Sequence, residues 1–195
     1  MTSAADASSA RRVTTTALLA ALLAVSAAVS VPFGTVPATL QVLVLVLIAL
    51  VMPRSWAAFA VAAYLLVGAV GLPVFSGMRG GLAVLTGPTG GYLFGFLVGA
   101  PAGAWVRRLL GRTAPAVVVD SVAAAVVLAI VYAMGWAQLV LVTGMAPLGG
   151  LLAGVVPFVI PDALKATAAV LLAPSVRRAA GVESVGAAPA GSQPA

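Results

Sequence analysis

The chain has 195 residues with ten basic and four acidic side chains, a net charge of +6, 63% hydrophobic residues and a mean hydropathy of +1.19. Charged residues make up only 7%, against roughly 25% in soluble domains, so a water-soluble fold of this length could not cover its surface. Cysteine and histidine are absent, which removes disulfides, thiolate nucleophiles, imidazole bases and most transition-metal sites.

Charge-free stretches over residues 13–53, 55–78, 80–106 and 121–161 reach or exceed the roughly 20 apolar residues that cross a hydrocarbon core. The chain therefore reads as an all-α integral membrane protein in a lipid bilayer. Arg11, Arg12, Arg54, Arg107, Arg108, Arg112, Arg177 and Arg178 sit at the joints between apolar runs. That is the pattern of cytoplasmic loops under the positive-inside rule, so the basic balance marks topology and not nucleic-acid binding.

Residues 1–12 read as a disordered cytoplasmic tail. A first span over 13–30 carries Ala17 and Ala21, then Ala20, Ala24 and Ala28, at four-residue spacing, which aligns small side chains on adjoining stripes of a helix. It ends in the turn "VPFGTVPATLQ", with two prolines and a glycine. A second span follows over 39–52 and a third over 55–71. The third exits into "GLPVFSGMRGGLAVLTGPTGGY", a long outer loop rich in glycine and proline. Within it "GPTGGY" lacks the Gly-Lys-Ser/Thr ending of a phosphate-binding loop, so the chain itself hydrolyses no ATP. The segment reads as a tight turn, or as a rim of backbone donors beside Thr89 and Tyr92.

The fourth span covers 90–106 and the fifth 116–134. The stretch "GWAQLVLVTGMAPLGG" has too many turn signals for a straight span, and reads as a short helix on the outer interface anchored by Trp136. A further span over 138–156 is set aside, because it would place Arg177 and Arg178 outside. The sixth span covers 157–173, with a second cytoplasmic tail over 175–195. Six spans thus form a membrane domain over 13–174, with both termini cytoplasmic.

Two features resist a purely topological reading. Asp162 and Lys165 lie three residues apart in "VVPFVIPDALKATAAVLLAP", on one face of a helix whose start Pro161 fits, in the outer half of the sixth span. They are either a structural ion pair or a functional pair lining a cavity. Arg79 is the one basic residue assigned to the outer loops, among glycines that permit close backbone approach. Together these charges describe a pocket for a small polar molecule.

The stretch "GAVGLPVFSGMRGGLAVLTGPTGGYLFGF" closely resembles the signature of the BioY family, the biotin-specific S components of energy-coupling-factor transporters. "VPATLQVLVLVLIALVMPR" is similar to that family's first-loop and second-span motif, and "GVVPFVIPDALKATAA" to its last span. The chain departs from the pattern at Met78–Arg79, where a small residue is usual. The resemblance implies six membrane helices and an outward pocket that binds biotin. It implies uptake across the bacterial cytoplasmic membrane through a coupling subunit and a pair of ABC-type ATPases, which use ATP while this chain carries no cofactor and no metal. It also implies that the alanine stripe of the first helix contacts the coupling subunit.

On that resemblance Asp162 is expected to accept from the ureido N–H groups of biotin. Lys165 is expected to donate to the ring carbonyl or the carboxylate, and Arg79 to pair with the carboxylate; Lys165 and Arg79 can be exchanged in this assignment. Tyr92, Thr89 and Gln41 supply lesser contacts. An S component for a different small vitamin is the alternative. An intramembrane enzyme lacks a nucleophile and base, and Asp120, near the start of the fifth span where a carboxylate suits the helix dipole, is a poor partner for Asp162. A purely structural membrane protein leaves Arg79 and the buried pair unexplained.

Overall fold

The structure is a computed structural model that describes residues 4–32 and 36–181, with side chains from residue 9 onward. Its elements are α1 (Ala4–Ala28), β1 (Ser30–Val31), β2 (Ala38–Thr39), α2 (Gln41–Val51), α3 (Arg54–Ala69), α4 (Leu82–Thr86), α5 (Gly90–Leu110), α6 (Ala116–Thr143), α7 (Pro147–Gly154) and α8 (Val156–Ala180). Among the described residues, four stretches are long and apolar enough to cross a membrane: Ser9–Ala28, α5, α6, and α7 with α8. Two further apolar helices, α2 and α3, are shorter.

Helix α2, "QVLVLVLIALV", is the central column. Apolar on every face, a helix must be enclosed by protein or by lipid, and here Leu45, Val46, Ile48, Ala49 and Leu50 are wholly excluded from the surface by the surrounding helices. At 1.5 Å per residue its 11 residues fall well short of the ~30 Å hydrocarbon thickness.

Helices α5 and α6 meet along Gly91, Gly95, Gly99 and Gly103, spaced by four residues on one stripe of α5. A Cβ on Gly95 would lie 2.8 Å from the Cα of Val131, and one on Gly103 would lie 2.6 Å from Cγ2 of Val127. Only a hydrogen side chain lets the two backbones approach this closely.

Several expected boundaries shift. Helix α1 begins at Ala4, inside the expected tail, because the alanine-rich start is a strong helix former. Helix α6 runs unbroken through Gly135 and Trp136 to Thr143, and stops where Gly144 takes a left-handed φ of 69°. The expected short helix is therefore displaced: α7 starts at Pro147, whose carbonyl accepts a bond from Trp136 Nε1 at 2.9 Å. Gly135 is no turn signal here; it leaves room for the ring of Tyr92. Helix α8 starts at Val156, so Pro161 lies inside it, and it continues past Pro174 to Ala180. The remainder of the expected second tail, residues 182–195, lies outside the described residues, as do residues 1–3 and 33–35.

The turn after α1 holds an antiparallel strand pair, Ser30 opposite Thr39 and Val31 opposite Ala38, a small exception to the all-α expectation. At the other end of the bundle, Asp120 is 2% exposed and accepts from Arg107 Nε at 2.7 Å and from Arg177 Nη1 and Nη2 at 3.0 Å. Arg177, 7% exposed, also donates to the Leu50 carbonyl at 3.1 Å. Arg107 and Arg177, read from sequence as topology markers alone, thus join Asp120 in a buried triad that ties the ends of α2, α5, α6 and α8.

Candidate binding cavity

At the end of the bundle away from that triad, a cavity of about 650 Å³, its open mouth included, lies between α2, α5, α6, α8 and the loops that carry residues 36–39, 75–79 and 89. Its body is apolar, walled by Val36, Val42, Phe75, Val84, Leu93, Phe96, Val131 and Phe158, and a few polar groups are set into this surface.

Asp162 is the central one. It lines the cavity and is only 4% exposed. Tyr132 Oη donates to its Oδ2 at 2.8 Å and Lys165 Nζ to its Oδ1 at 2.7 Å. An ionised carboxylate has about four lone-pair sites, so two bonds leave acceptor capacity facing the cavity. A charge buried like this is tolerable because it is paired and hydrogen-bonded. Lys165 neutralises it from the side and does not itself line the cavity. One of its three ammonium N–H donors is engaged by the carboxylate three residues earlier on α8.

Arg79 sits at the rim on a miniature hairpin. Phe75 N–H donates to the Arg79 carbonyl at 2.9 Å and Arg79 N–H to the Phe75 carbonyl at 3.3 Å. The tight loop between them places Gly77 at φ 71° and Met78 at φ 55°, a conformation uncommon for a residue with a Cβ. Arg79 Nε donates to the Ser76 carbonyl at 3.1 Å, and the guanidinium forms no ion pair among the described residues. Its outer nitrogens are therefore available to an anion. Phe75 anchors the hairpin by burying its ring where Gly68 has no side chain. Ser30 and Ser76 link this loop to the β1–β2 pair through a 2.9 Å hydroxyl contact.

The structure brings Gln41, Thr89 and Tyr92 to the same cavity. The Tyr92 hydroxyl is already engaged, donating to the Gly154 carbonyl at 2.7 Å. Gln41 Nε2 donates to Tyr64 Oη at 2.7 Å. Thr89 stands half-buried at the entrance to α5, in a turn that Gln138 secures by donating to the Leu85 and Gly87 carbonyls at 2.8 Å. Sequence reasoning missed Tyr132, Tyr64, Thr39, Phe75 and Ser76. One signal was present: the chain has three tyrosines, and all three stand at or directly behind this cavity.

On α1, Thr16, Leu19, Leu23, Ser26 and Ala27 pack inward, whereas Ala17, Ala21 and Ala28 are exposed and Ala20 and Ala24 half-buried. The alanine stripe therefore borders the outward side of the helix.

Comparison with known proteins gives a consistent picture. A family model described as the BioY family matches residues 1–182. The "Biotin transporter BioY" of Thermotoga maritima is 53% identical over 83 residues, 43% of this chain and about half (49%) of that protein's length. The "Probable biotin transporter BioY" of Pyrococcus horikoshii is 37% identical over 164 residues, 84% of this chain and 94% of that protein. A crystal structure of the S-component for biotin from an ECF-type ABC transporter superposes with a TM-score of 0.82 at 23% identity, covering 91% of this chain and 95% of that one, and so shares the fold.

Proposed function

The chain belongs to the BioY family, and from that membership we propose that it binds biotin as the S component of an energy-coupling-factor transporter and serves its uptake. It is a transport component and not an enzyme. The observation that carries the reading is the buried Asp162 carboxylate on a mainly apolar cavity, with an Arg79 guanidinium at the rim that forms no ion pair among the described residues.

Biotin has two ureido N–H donors and a ring carbonyl at one end, an apolar bicyclic body, and a carboxylate at the other. In the proposed pose the ureido N–H groups fill the free lone pairs of Asp162, and the bicycle packs among Phe75, Phe96 and Phe158. The carboxylate reaches the guanidinium of Arg79. Lys165 and Tyr132 hold the aspartate oriented before the ligand arrives, which lowers the ordering cost of binding. Charge-assisted bonds in a site shielded from water are the strong kind. Thr89, Tyr92 and Gln41 complete the wall.

Six membrane crossings are proposed, from α1, α2, α3, α5, α6 and α8, with α2 and α3 extended by their flanks. Arg11, Arg54, Arg107 and Arg177 then mark the cytoplasmic side with both termini, by the positive-inside rule, and the cavity opens outward. The chain supplies binding alone. ATP is consumed by partner ATPases, and a coupling subunit docks on the exposed alanines Ala17, Ala21 and Ala28 with their half-buried neighbours Ala20 and Ala24, where small side chains allow close helix approach.

Competition binding tests the assignment. Radiolabelled biotin should bind the detergent-purified chain without any ATPase and be displaced by unlabelled biotin, whereas thiamin, riboflavin and other vitamins leave it bound. Displacement by another vitamin at lower concentration than biotin would reassign the substrate.

A further inference from the structure

Helix α3 contributes no residue to the cavity wall, yet its Tyr64 touches two residues that do. Tyr64 is buried; its hydroxyl accepts from Gln41 Nε2 at 2.7 Å, and its ring meets Phe75 edge to face at a centroid distance of 5.5 Å and 81°. One turn later on the same helix, Gly68 leaves the space that the Phe75 ring fills. Tyr64 and Gly68 together form the seat of the rim hairpin.

The polar half of this arrangement holds the Gln41 side chain in place. The Gln41 side chain has two N–H donors and one carbonyl oxygen. Its Oε1 accepts from Thr39 Oγ1 at 3.1 Å, and the same hydroxyl accepts the Gln41 backbone N–H at 3.3 Å. Tyr64 takes one of the two Nε2 protons. What remains for the cavity that Gln41 lines is its second N–H and one lone pair of Oε1. Without the Tyr64 hydroxyl, Nε2 loses the partner that holds it in place.

We propose that Tyr64 is a positioning residue: by holding the Gln41 amide it keeps the second Nε2 N–H at the cavity wall, as a donor to an acceptor oxygen of the bound ligand. The inference rests on the biotin reading above, in which that oxygen belongs to the ring carbonyl or to the carboxylate.

A double-mutant cycle on biotin affinity, measured with the full chain in detergent, tests it. Tyr64→Phe and Gln41→Leu should each weaken biotin binding by about 3–10-fold, the worth of one net hydrogen bond. The double variant should bind no worse than Gln41→Leu alone, because the tyrosine acts only through the glutamine. A merely structural role would lower the melting midpoint while leaving affinity unchanged, or give losses that multiply in the double variant; either result overturns the proposal.

Should Tyr64→Phe fail to fold, 3,5-difluorotyrosine at position 64 keeps the ring and hydroxyl but weakens the acceptor. Reduced biotin affinity then supports the proposal, and unchanged affinity overturns it. Two analogues identify the oxygen: 2-iminobiotin, and a biotin analogue ending in a methyl group. The Tyr64→Phe penalty should vanish for the analogue lacking the oxygen that Gln41 meets, and a full penalty with both contradicts the proposal. A folded parent that binds no biotin would instead overturn the functional reading on which it depends.

Discussion

A carboxylate can sit in an apolar cavity only if its charge is met, and at the residue scale Asp162 is met twice, by Lys165 and by Tyr132. Lys165→Met leaves it with one neutral donor. Because an unpaired buried charged group costs upward of ~1–3 kcal/mol, biotin affinity should fall on the order of 10–100-fold in isothermal titration, with a lower melting midpoint. A parent-like titration would show that the lysine is dispensable to the aspartate. Arg79 makes a separable prediction. Arg79→Ala should weaken biotin roughly tenfold, the loss of one charge-assisted bond, and leave biotin methyl ester unaffected. An equal loss for acid and ester would place the carboxylate elsewhere. Asp162 and Arg79 were legible in the sequence because a charge in an apolar span has few bland explanations. Tyr132 and Tyr64 were not, since a tyrosine suits many depths of a membrane helix and shows its role only when its hydroxyl finds Asp162 or Gln41.

At the scale of elements, the fold depends on where side chains are missing. The α5 glycine stripe brings α6 close enough to set Val131 and Tyr132 into the cavity wall. Gly95→Leu would force a side chain against the Val131 backbone, so it should destabilise the fold by the ~1–3 kcal/mol typical of overpacking, seen as a lower melting midpoint in thermal denaturation in detergent. An unchanged midpoint would mean that α5 and α6 are spaced more loosely. Charge punctuation placed α2, α3 and α5 within a few residues at both ends, whereas α1, α6 and α8 each run well past one expected boundary. It failed at Gly135 and Trp136, where glycine was taken for a turn. In a soluble loop that inference is sound; between membrane helices a glycine is as often a contact surface, and this one receives the ring of Tyr92. The strand pair at Ser30 and Thr39 was invisible for another reason: two residues per strand carry no periodicity.

Across the whole molecule, the paired or cavity-lining charges separate into two groups at opposite ends. Among the described residues, Asp162 and Arg79 line the cavity with Lys165 paired behind Asp162, and Asp120, Arg107 and Arg177 form the triad that joins four helices at the other end, while the remaining arginines belong to neither group. The same four helices wall the cavity, so the triad fixes their relative register from a distance. Removing one member of a buried ion pair typically costs ~3–5 kcal/mol, so Asp120→Asn should lower thermal stability sharply, whereas the folded fraction should still bind biotin. Loss of binding without loss of stability would mean that the triad acts on the site directly. This pairing was hidden in the sequence because topology already explained each arginine, and nothing local indicates that residues so far apart in the chain meet.

The central claim is that the Asp162 cavity is a biotin site. Equilibrium titration of the purified, monodisperse chain with biotin, beside Asp162→Asn, tests it most directly. The account predicts saturable, near-stoichiometric binding by the parent and a loss on the order of 100-fold or more in a variant with a parent-like melting profile, since the amide turns an acceptor toward one ureido N–H and a donor toward the other. Parent-like affinity in Asp162→Asn would place biotin elsewhere in the molecule and contradict the account.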